Sequence, residues 1–285
     1  MTKMFDVENY IAVGSLNARA SAAAIQSAYK IEVRFLGGLT ETQAAAFKTA
    51  ADRWSKIITG DLPSVIVSGE VIDDLVIEAQ GVPIDGPGRI LGQAGPTNLR
   101  PAAAGAHAFL PAKGIMSFDT ADLAEMETQG TLVDVITHEM GHVIGIGTIW
   151  DRKGLLKGAG SQNPRFTGTR AKEAFGELKG QGPTQVPVEN EGGAGTRDSH
   201  WRETVFRNEL MSGFIGETGN PISALTVASL ADLGYDVDAD AAEPYKLPDL
   251  ERLADQGLLT AGAGFHPHAL PILAPKVLPE ISLDI

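Results

Sequence analysis

The residues of this chain best suited to chemistry are His138-Glu139-Met140-Gly141-His142. On a helix, side chains four positions apart lie one above the other, so His138 and His142 present two imidazoles to one metal ion. Glu139 stands beside the first imidazole, where its carboxylate can take a proton from a metal-held water. Such a set performs metal-assisted hydrolysis, and zinc is the metal it suits. A five-residue pattern recurs by chance, so its surroundings must carry the reading. Leu132, Val135, Ile136, Val143 and Ile144 supply an apolar face at helical spacing. Thr131 and Asp134 have the spacing of a capping box at the helix start. Gly145 and Gly147 give the chain a place to stop and turn. Gly141, in mid-helix, costs about 1 kcal/mol of helix propensity, which implies that something packs close against it.

A catalytic zinc usually takes three protein ligands and leaves a fourth position for water. The other histidines are His107, His200, His266 and His268. Glu173 and Glu177 fall on a predicted helix and are carboxylate candidates, and Asp198 closes Gly195-Thr196-Arg197-Asp198. His200 lies 58 residues beyond His142, in Ser199-His200-Trp201-Arg202-Glu203. Met211 follows 11 residues later, in Glu209-Leu210-Met211-Ser212-Gly213.

H-E-x-x-H-x-x-G, a distant His and a Met in a turn together resemble the metzincin pattern. The long interval before His200, with H-W and E-L-M, resembles the leishmanolysin family. The resemblance covers roughly residues 31–240 and is sharpest at 138–147 and 199–214. It implies a zinc metalloendopeptidase in which His138, His142 and His200 bind zinc and Glu139 is the general base. It also implies that Met211 forms a Met-turn, an apolar floor beneath the imidazoles. This chain departs from the pattern in three ways. Ile146-Gly147-Thr148 holds no His where short-spacer metzincins place the third ligand, so an insertion must bring His200 back. Gly213 stands where some metzincins carry a tyrosine two residues after the Met. There is no Cys, which excludes disulfides and a cysteine-switch propeptide. Two other readings stay open: a gluzincin-type zinc hydrolase with Glu173 as third ligand, or a non-enzymatic zinc-stabilised adhesion or binding module. An intact Glu139 argues against the second, because a structural site has no use for a general base.

The elements that must position these groups follow from periodicity. Residues 1–30 read as an N-terminal arm or leader. Ile31 to Leu36 alternates as a strand, and Thr40 with Gln43 opens a helix whose buried stripe is Phe47, Ala50, Ala51, Trp54, Ile57 and Ile58. Val65–Val67 and Val71–Ala79 read as strands, the second interrupted at Asp73-Asp74. Residues 81–101 are loop-rich, with a short strand near Ile90-Leu91. Residues 114–118 read as a further strand, expected at the sheet edge, where an extended substrate would pair by main-chain hydrogen bonds. Asp119 and Asp122 after it are helix caps or, alternatively, calcium ligands. Residues 31–147 thus form an upper catalytic subdomain with the zinc helix. Residues 148–243 hold the insertion, with a helix near 169–179 and extended chain at 186–188, and a lower subdomain with the third His and Met-turn. Asn220-Pro221 reads as a helix start with Pro at N1. Residues 244–285 are a tail with a short helix at about 248–259 and a His266-Pro267-His268 pair. The fold class is α+β: a metzincin-type catalytic domain, a mixed twisted sheet with long helices above a zinc cleft and a mostly irregular and helical lower subdomain.

Composition narrows the partners. A net charge of −13 disfavours nucleic acid and leaves a protein or peptide substrate. No stretch approaches the ~20 apolar residues that span a bilayer. Asp6, Glu8 and Asn9 interrupt any signal-peptide core, so export without a cleavable signal peptide is expected, with cytoplasmic residence the alternative. Phe214 and Ile215, just after Met211, point to an apolar substrate residue. Oligomeric state is not legible.

Overall fold

The computed structural model describes residues 8–14, 28–86, 88, 91–193, 195–215, 218–249 and 274–283. Alternation is clearest in β2 (Lys30–Gly37), where Ile31, Val33 and Phe35 point inward and Lys30, Glu32 and Arg34 stay half-buried. The helix α1 (Glu41–Ile57) follows, and Thr40 and Gln43 close the expected capping box at its start. Phe47, Ala50, Ala51, Trp54 and Ile57 are its buried stripe. The rings of Phe35, Phe47 and Phe118 meet edge to face between helix and sheet. After α1, β3 (Val65–Val67) and β4 (Glu70–Ile72) make a separate antiparallel hairpin.

The main sheet has the order β1-β2-β5-β7-β6-β11, with β1 at Glu8–Val13, β5 at Leu75–Val82, β6 at Gly92–Leu99, β7 at Pro111–Asp119 and β11 at Lys276–Val277. β2, β5 and β7 run parallel, while β1 and β6 lie antiparallel to β2 and β7. Two expectations change here. The 114–118 strand is β7, and it is interior rather than at the edge, with β5 on one side and β6 on the other. The stretch expected to be loop-rich is the eight-residue strand β6. Its Gly92, Gly95 and Pro96 are local turn signals, but pairing to β7 overrides them. A Cβ at Gly92 would collide with the Ser117 carbonyl, and proline's missing N–H is tolerated near a sheet edge. β11 covers β6 only at Asn98 and Leu99. The expected N-terminal arm supplies β1, anchored by buried Ala12 and by Tyr10, which donates to Asp52 at 2.7 Å.

Next come α2 (Thr120–Gln129), capped by Asp119, and α3 (Leu132–Ile144), which carries the His pair. α3 packs on α1 and on β6 and β7. Gly114 of β7 permits that approach, since a Cβ there would collide with Val143. Trp54 of α1 donates its indole N–H to the Thr137 carbonyl at 2.9 Å. The expected Thr131–Asp134 capping box does not form: Thr131 makes no side-chain cap bond. Its backbone already has helical angles (φ −92°, ψ −8°), whereas a capping residue needs an extended backbone to turn its oxygen onto the helix N–H groups. Asp134 is drawn elsewhere. It accepts from the Gly219 N–H, from the Asn220 backbone and side chain, and from Arg53. Arg53 in turn binds Glu243 and the Asn220 carbonyl.

Below α3 lie a small antiparallel sheet of β8 (Leu156–Lys157), β9 (Arg165–Phe166) and β10 (Val186–Pro187), and the helices α4 (Thr169–Leu178), α5 (Glu203–Phe206) and α6 (Ala224–Leu233). α6 starts at the Ser223 cap rather than with Pro221 at N1. Pro221 instead offers its carbonyl to the Leu210 N–H. Trp150 and Trp201 stack at 4.6 Å, with Phe166 edge-on to Trp201 at 5.5 Å. One buried cluster runs from Ala12 to Tyr235 and joins both halves. Residues 250–259 of the expected tail helix, and His266-Pro267-His268, lie outside the described residues.

Asp134→Ala is expected to lower unfolding free energy by about 2–4 kcal/mol, because it strands several buried donors and Arg53. Thr131→Val should change it by less than about 0.5 kcal/mol, since the buried hydroxyl has no partner among the described residues. Urea unfolding of both variants checks this. A loss above 1 kcal/mol in Thr131→Val, typical of a lost cap, would restore the capping box.

Candidate metal centre

α3 presents His138 and His142 on one face, both buried. The helix then stops at Gly145 (φ +120°), and the chain turns through Gly147 (φ +75°). At Gly147 a Cβ would collide with the Ser199 carbonyl. This near contact brings the 199–201 segment against the end of α3, which puts His200 beside the pair.

The three imidazoles are oriented by backbone carbonyls. His138 Nδ1 lies 2.6 Å from the Leu210 oxygen, His142 Nδ1 2.9 Å from the Ile146 oxygen, and His200 Nδ1 2.9 Å from the Thr196 oxygen. A carbonyl can only accept, so each Nδ1 carries the hydrogen and each neutral ring turns a bare Nε2 lone pair inward. Those three Nε2 atoms lie 2.9, 3.0 and 3.1 Å apart. Nitrogens bound at 2.0–2.1 Å to one tetrahedral zinc would lie ~3.3 Å apart. Three converging lone pairs without a hydrogen among them repel one another, and a cation at their focus relieves that repulsion. The donor set therefore fits zinc, with the carbonyl contacts as the outer partners that metal-ligating histidines commonly have.

Burial keeps the rings neutral. It pushes His138 down to about 3, with His142 adding to the effect, and His142 down to about 4. His200 is held well below the usual imidazole value by burial and by the other two rings. Glu139, beside His138 and only 2% exposed, is pushed up to about 8 by burial.

Met211 lies beneath α3. A Cβ built on Gly141 would sit 2.7 Å from its sulfur and 3.0 Å from Trp54, which is the close packing that the mid-helix glycine implied. Glu209, fully buried, ties the turn down. Its carboxylate accepts from the Met211 N–H at 2.7 Å, from the Ser223 N–H and hydroxyl, and from Thr226 at 2.5 Å. Thr226 also accepts the Trp201 indole N–H at 2.8 Å, and Trp201 N–H donates to the Met211 carbonyl at 2.9 Å. One carboxylate thus braces the Met turn, α6 and the residue next to His200. This part for Glu209 is hard to read from sequence. A glutamate between apolar residues at a turn is a faint signal, and the orienting carbonyls of Leu210, Ile146 and Thr196 leave none.

The other candidates stand apart. Glu173 and Glu177 are exposed on α4. Asp198 accepts from the Gly160 N–H, and His107 Nδ1 lies on the Gly234 carbonyl. Among the described residues, neither these acids nor His107 groups with the three histidines. Asp119 accepts from four backbone N–H groups, at residues 84, 85, 86 and 121. One Asp122 oxygen accepts from Gly88. Phe214 is half-buried and Ile215 buried after the Met turn, and Gly216 lies outside the described residues.

Residues 63–247 match the family model of leishmanolysin, peptidase family M8. A leishmanolysin homolog of Crithidia fasciculata is 28% identical over 136 residues, covering 44% of this chain and 20% of that protein. Leishmanolysin of Leishmania donovani is 28% identical over 146 residues, covering 48% of this chain and 24% of its own length. The matched stretch is therefore about a quarter or less of those relatives.

His200→Ala should empty the site of zinc in elemental analysis, and Glu173→Ala should leave it full; the reverse pattern would put the third ligand on α4. Zinc should also survive mild acid. A free imidazole is mostly protonated below about 6.5, but depressed values keep these rings neutral, and metal binding needs the neutral form. Occupancy after dialysis should be the same at pH 7.5 and 5.5. Release with a midpoint above pH 6 would mean that burial does not hold off the protons.

Proposed function

This chain belongs to the leishmanolysin family, and on that premise we propose that it is a zinc-dependent metalloendopeptidase that hydrolyses peptide bonds of proteins. The observation that carries the reading is the convergence of three Nε2 lone pairs, each ring fixed by a carbonyl at Nδ1. His138, His142 and His200 would hold the ion. Zinc, when bound, supplies Lewis acidity and lowers the pKa of a water to about 7. Glu139 takes the proton from the attacking water and delivers it to the leaving amine nitrogen. The burial that pushes this carboxyl up to about 8 makes it a stronger base, and a neighbouring positive charge favours its ionised form. Met211 contributes shape beneath the rings rather than a ligand.

The architecture proposed is metzincin-like, with an upper subdomain to residue 147, a lower one over 148–243 and a tail from 244. An extended substrate would lie along β6, whose outer edge among the described residues pairs only at Asn98 and Leu99, and would add a strand by main-chain hydrogen bonds. Phe214 and Ile215 favour an apolar residue beyond the cleaved bond. Among the described residues no helix is long and apolar enough to cross a membrane. We place the activity outside the cytoplasm, where a general endopeptidase does not threaten its own cell. The gluzincin reading is disfavoured by the exposed position of Glu173 on α4. The binding-module reading is disfavoured by Glu139, whose carboxyl is pushed up to about 8 by burial, because burying an ionisable group is costly unless it is used.

Glu139→Gln should retain zinc and lose at least about 10²-fold in kcat on casein. Near-normal turnover with zinc bound would remove Glu139 from the chemistry.

A further inference from the structure

A cavity of about 1170 Å3 opens within the insertion, between β8, β9, α4, the 183–187 segment, α5 and the chain at 247–249. None of its lining residues belongs to the histidine cluster. Its apolar wall includes Phe175, Pro187, Val205 and Leu247, and it carries three cations, Lys157, Arg165 and Lys179. In a chain of net charge −13 that concentration of positive charge is unusual. The ion pairs among the described residues use Lys30, Arg34, Lys48, Arg53 and Lys113, and none of the three cavity cations. Lys179 lies over the Phe175 ring at 5.5 Å instead. Among the described residues Asp249 is the one carboxylate in the lining, so the described wall carries net positive charge. Just behind the wall, the neighbouring Arg202 donates to the Val188 carbonyl and to Asn163.

Such a lining selects a ligand with both negative charge and apolar side chains. At about 1170 Å3 the cavity has room for a short peptide segment. The side-chain amides of Asn163 and Gln185, also in the lining, suit the alternating donors and acceptors of a peptide main chain. We propose that this cavity is an exosite that binds an acidic segment with interspersed apolar residues, carried by the protein substrate and distinct from the stretch being cleaved. The proposal rests on the peptidase reading for its purpose, not for its chemistry. Tethering a substrate at a second point raises its effective concentration at the first, and charge complementarity speeds encounter. An acidic protein is otherwise repelled by this acidic chain, so the cavity would select which acidic substrates dock.

The test uses full-length zinc-loaded Glu139→Gln protein and fluorescence anisotropy with a labelled peptide of alternating Glu and Phe. Binding should weaken at least ~10-fold in Lys157→Glu/Arg165→Glu/Lys179→Glu, after circular dichroism shows that variant folded. If it does not fold, Arg165→Gln alone should weaken binding about threefold. In the active enzyme the same changes should raise KM for a protein substrate bearing an acidic segment. They should leave kcat and the cleavage of a short neutral peptide unchanged. Equal affinity in the variant, or for a peptide with Lys in place of Glu, overturns the proposal. Equal affinity for a peptide with Gly in place of Phe also overturns it, because the cavity would then be a general anion site. Wild-type protein that binds the acidic peptide but cleaves no protein fails the peptidase reading alone. Wild-type protein that cleaves casein but binds the acidic peptide no better than the basic one fails the exosite alone.

Discussion

Three imidazoles whose Nε2 lone pairs face one another are an unfavourable arrangement that the rest of the chain must impose. The imposing contacts are three Nδ1–H donations to carbonyls of Leu210, Ile146 and Thr196. Each carbonyl comes from a different segment: the Met turn, the turn after α3, and the loop before His200. A carbonyl cannot donate, so each contact fixes the tautomer as well as the ring plane. The site exists because three irregular pieces of backbone are held against the imidazoles, and much of the lower half serves that end.

Irregular backbone has no ladder of its own to hold it, so buried acids take that part. Glu209 accepts from two backbone N–H groups and two hydroxyls, and so fixes the Met turn to α6. Glu189 accepts from the backbone N–H groups of Asn190, Glu191 and Glu203, and its own N–H binds the His200 carbonyl. Asp134 does the same for the 219–220 turn near the N-terminal end of α3. Hydrogen bonds to a charged acceptor are roughly twice as strong as neutral ones, and several converging on one buried carboxylate compensate its desolvation. The cost appears in Glu209, whose carboxyl burial pushes up despite its four donors. The aromatic stack of Trp150, Phe166 and Trp201 supplies the apolar side of the same task, joining the insertion to the residue after His200.

The fold was readable where one element met one rule. α1 has its capping box and its stripe, β2 its alternation, α4 its short helix within the insertion. It was unreadable where a partner outweighed the local signal. β6 looks like loop because Gly92, Gly95 and Pro96 are poor strand formers, and β7 makes it a strand by lying beside it. Asp134 looks like the second half of a capping box, and a turn 85 residues away claims its carboxylate. The start of α6 shifts to Ser223 because Pro221 gives its carbonyl to the turn before Met211.

The sequence by itself determined the chemistry on α3. Side chains at i and i+4 share a face in any helix, so His138 and His142 point the same way whatever surrounds them. Gly141 likewise announced a close neighbour, because only packing compensates its loss of helix propensity. The motif pattern pointed to His200 and Met211, but their convergence on α3 was decided in three dimensions. His200 and Met211 are separated from α3 by a long insertion, and no period or propensity reaches across it. What brings them in is contact: Ser199 against Gly147, Met211 sulfur under Gly141, and the bonds from Glu209. Local sequence fixes local direction, whereas convergence of distant segments depends on which surfaces of the folded chain can pack together, and that is a property of the whole.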